Sequence, residues 1–267
     1  MKRIIFILII ILICCQGCVN KKNKDKLIVG MELQYPPFEM SDESGNPVGV
    51  SVDFAKELGK YLNCEIEIKN IAWAGLIPAL QTGKTDMIIS SMTITDERKK
   101  AVDFSIPYIS AGLTLLLSEN SSANTFADLN EDGKVVAVKM GTIGEEKAKK
   151  YLPKAKIHRF EDVSACVMEV AQGKADAFIY DALTVFSNHK KHPETTRINL
   201  EAIEGTEGYW GIAVKKGNKE LKQKIDEFIA DFRKNNGFDP ISDKYLKEIR
   251  SVFKENNIPF FFDLDVK

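Results

Sequence analysis

The sequence predicts an α/β fold made of two similar units, and two observations carry this prediction. The nine residues QTGKTDMII at 81–89 recur at 171–179 as AQGKADAFI, each a helix end, a Gly-Lys-x-Asp turn and an apolar strand. A further pair of apolar strands, 27–30 and 135–138, opens the two halves. Repeated helix and strand pieces of this kind favour open sheets that carry helices on both faces.

Composition narrows the class of protein. A chain of 267 residues accommodates one or two domains of roughly 150 residues each. Its 44% hydrophobic and 9% aromatic residues exclude a disordered chain. The 37 Lys and Arg residues balance 38 Asp and Glu residues, which argues against a nucleic-acid binder. Three histidines and five cysteines are too few for a metal-rich or disulfide-rich scaffold.

The first residues read as an export signal. Lys2 and Arg3 precede an unbroken apolar run at 4–13. As a helix this run rises about 15 Å, half of a ~30 Å hydrocarbon core, so it is too short for a stable membrane span. Residues 1–17 are therefore predicted to be a signal peptide that is removed from the mature protein.

The segment that follows resembles a bacterial lipobox, in which a small residue precedes a lipidated cysteine. Gly17 precedes Cys18, while Cys15 stands where leucine is usual. The resemblance implies that Cys18 becomes the new, lipid-modified (palmitate-bearing) N-terminus, with simple secretion as the alternative. The polar residues 18–26 would then be a lipidated tether. Cys64 and Cys166 are expected to be small buried hydrophobic residues, one in each unit.

Local patterns predict the remaining elements in chain order. Gly83 is expected to stop a short helix, and Ser51 to cap an earlier one. A helix is expected to end before Gly237 and Pro240, because the helical spacing of apolar residues stops there. The apolar tail at 258–263 is expected to pack on the body. The predicted strands are 27–31 and 65–69, and the predicted helices begin at 51 and cover 76–81, 219–234 and 241–255.

The stretch Ser90–Arg98 (SSMTITDER) is the sharpest chemical signal. Thr95 is suited to cap a helix, and the two acidic residues that follow it suit the first turn. Arg98 is different, because an arginine in the first turn opposes the helix dipole. A carboxylate held in two hydrogen bonds would justify a guanidinium at this position.

Together with three other motifs, this stretch resembles the family 3 solute-binding proteins, the polar-amino-acid receptors of bacterial ABC importers. The other motifs are Tyr35–Phe38 (YPPF), Trp73–Leu80 (WAGLIPAL) and Val102–Tyr108 (VDFSIPY). The resemblance runs in order from about Leu27 to about Tyr245. It implies a two-lobed periplasmic-binding-protein-like (type II) fold, in which two α/β lobes are joined by two hinge strands and close on the ligand. Lobe 1 would comprise 27–109 and 208–267, the latter with the C-terminal helices, and lobe 2 would comprise 110–207.

The resemblance also implies a ligand site for a zwitterion. Arg98 would hold the α-carboxylate with the Thr93 backbone and amides near Thr142, at a helix N-terminus. Asp181 would take the α-ammonium together with the Ser91 carbonyl and the Thr93 hydroxyl. Two aromatic residues would sandwich the side chain, unless they are plain core residues, and a Glu and a Lys would lie at its far end. The implied set is Glu32, Tyr35, Trp73, Ser90, Ser91, Thr93, Arg98, Lys139, Thr142 and Asp181.

The identity of the ligand depends on Glu32 and Lys139. Glu32 alone would suit arginine or lysine, but Lys139 beside it would repel a cation, so a neutral amide such as glutamine is favoured. An enzyme is the rival hypothesis, because a few proteins of this fold are dehydratases that act on cyclic carboxylates, with Glu32 as the acid. Asp181 has less purpose with a substrate that lacks an amine. The expectation is therefore a binding protein and no enzyme.

The remaining expectations concern partners and location. The resemblance implies a free amino acid as ligand, the transmembrane subunits of an ABC permease as partner, and a monomer anchored at the outer face of a membrane or in the periplasm. No nucleic acid, cofactor or metal is expected, since His189 and His192 lie in a charged stretch with no further ligand nearby. The apolar tail after Tyr245 lengthens the usual C-terminus and has no role in this scheme.

Overall fold

The computed structural model describes residues 26–206, 208–255 and 258–264. The predicted signal peptide, the lipidation site at Cys18 and the tether up to residue 25 lie outside the described residues. Within those ranges no helix is long and apolar enough to cross a membrane.

The described chain alternates short strands with helices. The strands are β1 (Lys26–Met31), β2 (Gln34–Tyr35), β3 (Glu39–Ser41), β4 (Pro47–Val48), β5 (Glu65–Asn70), β6 (Met87–Ile88), β7 (Val102–Phe104), β8 (Ile109–Ala111), β9 (Leu113–Ser118), β10 (Val135–Lys139), β11 (Lys156–Phe160), β12 (Ala177–Asp181), β13 (Thr196–Asn199), β14 (Gly208–Trp210) and β15 (Ala213–Lys215). The helices are α1 (Val50–Leu62), α2 (Leu76–Gln81), α3 (Asp96–Ala101), α4 (Ile143–Tyr151), α5 (Val163–Ala171), α6 (Ala182–His189), α7 (Lys219–Lys234), α8 (Phe238–Tyr245) and α9 (Lys247–Glu255).

Two five-stranded sheets share one topology. The first has the order β5-β1-β6-β15-β7 and the second the order β11-β10-β12-β9-β13. In each, three neighbouring strands run parallel and the fourth strand is antiparallel to both of its neighbours. We call the parts built on these sheets lobe 1 and lobe 2. The two-unit α/β fold predicted from the sequence is confirmed.

The repeated Gly-Lys-x-Asp turn performs the same task in both lobes. Asp86 Oδ2 accepts a hydrogen bond from the Ile28 amide at 2.8 Å, and the Asp86 amide returns one to the Ile28 carbonyl. Asp176 Oδ2 makes the same pair with Val135, at 2.9 Å. The aspartate thus bonds each helix-to-strand turn to the middle one of the three parallel strands of its sheet, which explains why both halves carry the motif.

The lobes are connected by two antiparallel crossing strands. β8 leads from lobe 1 into lobe 2, and β14 leads back, with Ser110 opposite Tyr209. The fourth strand of each sheet follows one of these crossing strands directly. A separate three-stranded sheet, β2-β3-β4, precedes α1.

The start of α1 differs from the prediction. Gly49 occupies the N-cap position, and no side chain in the described part of the protein caps the helix. The amides of Val50 and Ser51 instead donate to the carbonyls of Pro37 and Phe38. Because the loop carbonyls satisfy the first amides, Ser51 lies inside the helix and its predicted capping role is wrong. A Cβ at residue 49 would lie 2.4 Å from the Phe38 carbonyl oxygen, so the loop can approach this closely only over glycine.

The C-terminal region also corrects two details. The predicted single helix 241–255 is two helices, α8 and α9, that meet at Leu246, which is fully buried in the lobe 1 core. Pro240 lies in the first turn of α8, where its missing amide hydrogen costs nothing, so it begins a helix as well as following one. The predicted bounds of α2 and α7 are confirmed.

The tail 258–263 packs on lobe 1 as predicted. Phe260 and Phe261 are buried and belong to the same hydrophobic cluster as Phe38 and Phe253. Cys166 is buried as expected, whereas Cys64 is only partly buried, and both are free thiols.

Candidate ligand-binding site

The chemistry-bearing side chains lie where parallel strands end. Glu32 follows β1, Ser90 follows β6, Lys139 ends β10 and Asp181 ends β12. In open α/β sheets the carboxyl ends of the strands border the crevice in which ligands bind. The fold therefore brings residues from both lobes to one place between the sheets.

A cavity between the lobes encloses about 590 Å³ of space, including the part open to solvent. Nine of the ten residues predicted for the ligand line it, and the tenth, Lys139, lies behind Glu32. The lining consists of Glu32, Tyr35, Glu39, Trp73, Ser90, Ser91, Thr93, Arg98, Ala111, Gly112, Leu113, Thr142, Ile143, Gly144, Tyr180, Asp181 and Trp210.

Arg98 presents a positive charge to this cavity. Thr95 caps α3 by accepting a hydrogen bond from the Arg98 amide, as the sequence predicts. The guanidinium donates to the carbonyl oxygens of Thr93 at 2.8 Å and Gly141 at 3.0 Å, and lies over the ring of Trp73. Burial lowers the pKa of Arg98 to about 10, so the group stays charged at neutral pH. Its carbonyl partners carry no full charge, which leaves an anion as the natural further partner.

Asp181 presents the opposite charge from lobe 2. Its Oδ1 accepts a hydrogen bond from the Thr184 amide at 3.0 Å and caps α6. Its Oδ2 is buried and has no hydrogen-bond partner among the described residues. Burial raises the pKa of this carboxyl group, although the Thr184 amide and the nearby Tyr35 hydroxyl oppose the shift. An unpaired buried carboxylate oxygen is costly, and a cationic donor would remove that cost.

Glu32 and Lys139 form an ion pair that joins the lobes. The pair is almost fully enclosed, with 2% of the Lys139 side chain and 8% of the Glu32 side chain exposed. The other carboxylate oxygen of Glu32 accepts the Trp73 amide at 3.1 Å. Both oxygens of Glu32 are thus engaged, and the pair contributes no net charge to the cavity.

Aromatic rings form much of the cavity wall. Tyr35 packs edge-on against Tyr180 and Trp210, with ring centroids 5.9 Å apart in both cases. Trp73 is half-buried, and its Nε1 donates to the Gly141 carbonyl at 3.0 Å. Tyr35 and Trp73 therefore face the cavity from lobe 1, and Tyr180 faces it from lobe 2.

Thr142 stands at the lobe 2 helix terminus that faces the cavity. Its hydroxyl caps α4 by accepting the Glu145 amide and donates to the Lys139 carbonyl. The hydroxyl is thus occupied, and Ile143 and Gly144 of the first turn line the cavity. Glu145 accepts the Gly141 amide at 2.6 Å and thereby fixes the loop that receives Arg98 and Trp73.

Direct bonds across the cavity hold the lobes together. Arg98 and Trp73 of lobe 1 both donate to Gly141 of lobe 2, and Glu32 pairs with Lys139. Gly141 has a φ of +73°, and a Cβ there would lie 3.2 Å from Trp73 Nε1. The structure is a closed arrangement of the two lobes.

Glu39 is a further site residue that the sequence did not reveal. It is 1% exposed, and it accepts hydrogen bonds from the hydroxyls of Ser90 at 3.4 Å and Ser91 at 3.0 Å. Ser90 in turn accepts the Glu32 amide, and Ser91 has a φ of +50°, a left-handed conformation that neighbours must hold in place. Burial raises the pKa of Glu39 to about 8, while the serine hydroxyls oppose the shift. At neutral pH this carboxyl group is mostly protonated and adds little charge.

The shifted pKa of Glu39 predicts a pH-dependent stability. The pKa rises from 4.5 to about 8 on folding, so the folded state binds this proton more tightly and stability falls as pH rises between these values. The loss is about 1.4 kcal/mol per pH unit. A Glu39→Gln variant lacks this titration. The free energy of unfolding in urea, measured at pH 5, 6.5 and 8, should decline more steeply in the native protein than in the variant. Parallel profiles would contradict the assignment.

Other lining residues were missed for topological reasons. Trp210 and Ala111 belong to the crossing strands, which no local motif marks. Tyr180 precedes Asp181 at the end of β12, and the apolar run of that strand (AFIYD) was the available signal. The described residues contain no cluster of three or more His, Cys, Asp or Glu side chains that could hold a metal. His189 contacts Thr196 instead.

The chain is similar to a known family of proteins. A family model described as bacterial extracellular solute-binding proteins, family 3, matches residues 27–248. The L-cystine-binding protein TcyJ of Escherichia coli K12 is 31% identical, over 86% of each chain. The ABC transporter glutamine-binding protein GlnH of Bacillus subtilis is 30% identical, over 85% of this chain and 83% of that protein. The structure of an ancestral arginine-binding protein bound to glutamine superposes with a TM-score of 0.76 at 38% identity, over 84% of this chain and 98% of that one.

Proposed function

The chain belongs to the bacterial extracellular solute-binding proteins of family 3, and on that premise we propose that it captures a free polar amino acid and delivers it to an ABC importer. The family and the similar proteins that have been named are binding proteins rather than enzymes, and those proteins bind amino acids. Family membership also places the protein outside the cytoplasm, in the cell envelope.

The observation that carries the proposal is the pair of opposite charges on the cavity wall. Both side chains line the cavity. Among the described residues, the guanidinium of Arg98 donates hydrogen bonds to two neutral carbonyls, and one buried oxygen of Asp181 has no hydrogen-bond partner. The ion pair of Glu32 and Lys139 is internally neutral. The α-carboxylate and α-ammonium of an amino acid complement one positive and one negative group, and each buried charge is then paired.

Closure of the lobes supplies the mechanism. A ligand that bonds Arg98 in lobe 1 and Asp181 in lobe 2 has more contacts in the closed state than in the open one, so it stabilises closure. For the moving bodies we propose the boundaries expected from the sequence, 27–109 with 208–267 and 110–207. The short ladder of β8 and β14 between the two sheets supports them.

The part of the cavity beside Glu32 and Lys139, where the ligand side chain would end, favours a neutral amide. Glutamine is therefore the proposed ligand, with arginine and lysine next. A cationic side chain would need the carboxylate of Glu32, but Lys139 occupies that carboxylate. An amide can donate to an oxygen of Glu32 and accept from a nearby N–H group without breaking the pair. The glutamine bound in the similar ancestral protein is consistent with this proposal.

Replacing Lys139 should change ligand preference. A Lys139→Met variant keeps the length of the side chain but frees the Glu32 carboxylate, which then attracts a guanidinium. We expect the ratio of the dissociation constants for arginine and glutamine to fall at least tenfold, about 1.4 kcal/mol. Calorimetric titration of both ligands measures this ratio. Lys139→Arg is the matched control, because it keeps the charge and should keep the preference. The same preference in the Met variant as in the native protein would refute the glutamine assignment.

We further propose that Cys18 anchors the protein to the membrane through lipid and that the protein acts as a monomer beside the permease subunits. The apolar run 4–13 and the Gly17–Cys18 pair support the anchor. Fractionation of cells that produce a Cys18→Ala variant tests it, since loss of the lipid should move the protein out of the membrane fraction. A variant that stays membrane-bound would exclude lipid at Cys18 as the anchor.

A further inference from the structure

The C-terminal tail lies outside the matched family region and has no part in the ligand scheme. The family model ends at residue 248, whereas the described tail continues to residue 264. Its three consecutive phenylalanines, 260–262, fold back on α9, with the Ile258 amide bonded to the Phe253 carbonyl at 2.8 Å. Phe260 and Phe261 are 7% and 3% exposed, so the tail is a packed element of lobe 1.

The tail bonds directly to a crossing strand. The carbonyl of Phe261 accepts a hydrogen bond of 2.9 Å from the amide of Ser110. Ser110 is the middle residue of β8, and it pairs with Tyr209 of β14 on its other side. The tail is thus a third backbone segment beside the two crossing strands. It bonds to them at residues that must absorb the dihedral changes of opening and closing.

The ring of Phe261 also supports the wall of the ligand cavity. It packs edge-on against Phe38, with centroids 5.0 Å apart, and stacks on Trp210 at 6.4 Å. Phe38 stacks on Tyr35 at 5.3 Å, and Tyr35 packs against Trp210. Since Tyr35 and Trp210 line the cavity, an unbroken series of aromatic contacts connects the tail to the cavity wall.

The tail is fixed to lobe 1 and borders a space beside lobe 2. Phe253 packs against Phe261 at 4.9 Å, and Phe238 stacks on Phe262 at 4.4 Å. On its other side, a space of about 1,190 Å³, counting its solvent-open part, lies between the tail and Leu200–Ala202 of lobe 2. The hydrogen bond to Ser110 is therefore the contact through which the tail can act on movement of the lobes.

We propose that the tail is a hinge brace: Phe261 is a positioning residue that holds β8, Trp210 and Tyr35 in the closed, ligand-binding arrangement. Loss of its ring removes the support behind both cavity aromatics and loosens the attachment of β8. The closed state then loses contacts that the open state does not need, and ligand affinity falls. This inference rests on the proposed function, because it assigns the tail a role in amino-acid binding.

Two phenylalanine variants distinguish the proposed support of the hinge from a general contribution to core packing. Phe261→Ala removes the ring that meets Phe38 and Trp210, whereas Phe262→Ala removes a neighbouring ring that stacks on Phe238. Both should lower the melting temperature, since both remove packed aromatic surface. At a temperature where both variants are folded, calorimetry should show at least a tenfold weaker affinity for glutamine in Phe261→Ala and an affinity within twofold of native in Phe262→Ala. Equal affinities in the two variants would overturn the proposal.

A measurement without ligand distinguishes this proposal from the proposed function. Spin labels at Lys84→Cys and Lys174→Cys, the exposed lysines of the two repeated turns, report the distance between the lobes once Cys64 and Cys166 are replaced by alanine. Electron–electron resonance on the ligand-free protein should show a shift to longer distances in Phe261→Ala and none in Phe262→Ala. Identical distributions in all three proteins overturn the hinge brace, whichever ligand the protein binds. Failure of the native protein to bind glutamine overturns the proposed ligand alone.

Discussion

An Arg98→Ala variant is expected to lose about 100-fold or more in affinity for the amino acid. Arg98 is held at the cavity by two carbonyl oxygens and by the ring of Trp73. Removing it leaves the ligand carboxylate buried without its cation, and truncating one partner of a buried charge pair costs roughly 2–5 kcal/mol. Calorimetric titration with glutamine, at a pH where the variant is shown to be folded, measures the loss.

The control for this prediction comes from the same helix. Lys99 is exposed and pairs with Asp96 on the surface, so Lys99→Ala should bind as the native protein does. Glutamine whose α-carboxylate is converted to an amide provides a second check, because this ligand lacks the carboxylate charge. The native protein should bind the amide much more weakly than glutamine, and Arg98→Ala should scarcely distinguish the two ligands. Native affinity in Arg98→Ala would sink the assignment of the carboxylate site.

Asp181→Ala should nearly abolish ligand binding. Asp181→Asn should distinguish the effect of losing the charge from the effect of losing the cap of α6. Asn keeps an oxygen that can accept the Thr184 amide and cap α6, but it lacks the charge that pairs with an ammonium group. We expect a loss of about 30-fold or more in affinity for Asn, from the same cost of a broken charge pair. Ala should lose at least as much and also about 1 kcal/mol of stability through the missing cap.

Asp162 offers a comparison at another helix of lobe 2. It occupies the N-cap position of α5 without forming a side-chain cap bond, and it lies at the surface, so Asp162→Asn should bind as the native protein does. Titration with glutamine and with N-acetylglutamine measures the ammonium preference directly. If Asp181→Asn retained native affinity for glutamine, the ammonium of the ligand would have to bind elsewhere.

The sequence was most informative where a short segment determines its own structure. Thr95 caps α3 by accepting a hydrogen bond from the Arg98 amide, because the cap and the donor lie three residues apart, and that spacing is visible in any sequence. The two Gly-Lys-x-Asp turns could be paired from their letters alone. The physical reason appears only in the structure, where Asp86 and Asp176 each bond to the middle one of three parallel strands.

The features that could not be predicted from the sequence depend on contacts between segments that are distant along the chain. The carbonyls that cap α1 come from the loop before β3, so Ser51 looked like a cap when it was a buried residue of the helix. Glu39 and Trp210 reach the cavity only through the packing of β3 and the crossing strand β14, and neither has a local signature. The partnership of Glu32 with Lys139, on different lobes, came from the resemblance to a family rather than from any spacing.

A ligand screen on refolded protein tests the central claim most directly. The purified protein is unfolded and refolded to remove carried-over ligand, and its melting temperature is recorded with each common amino acid and with prephenate. A ligand at a hundred times its dissociation constant adds about 2.7 kcal/mol of stability, which is easily visible as a higher melting temperature. We expect the largest increase with glutamine and none with prephenate. An increase with prephenate alone, or no increase with any amino acid, would contradict the proposed function.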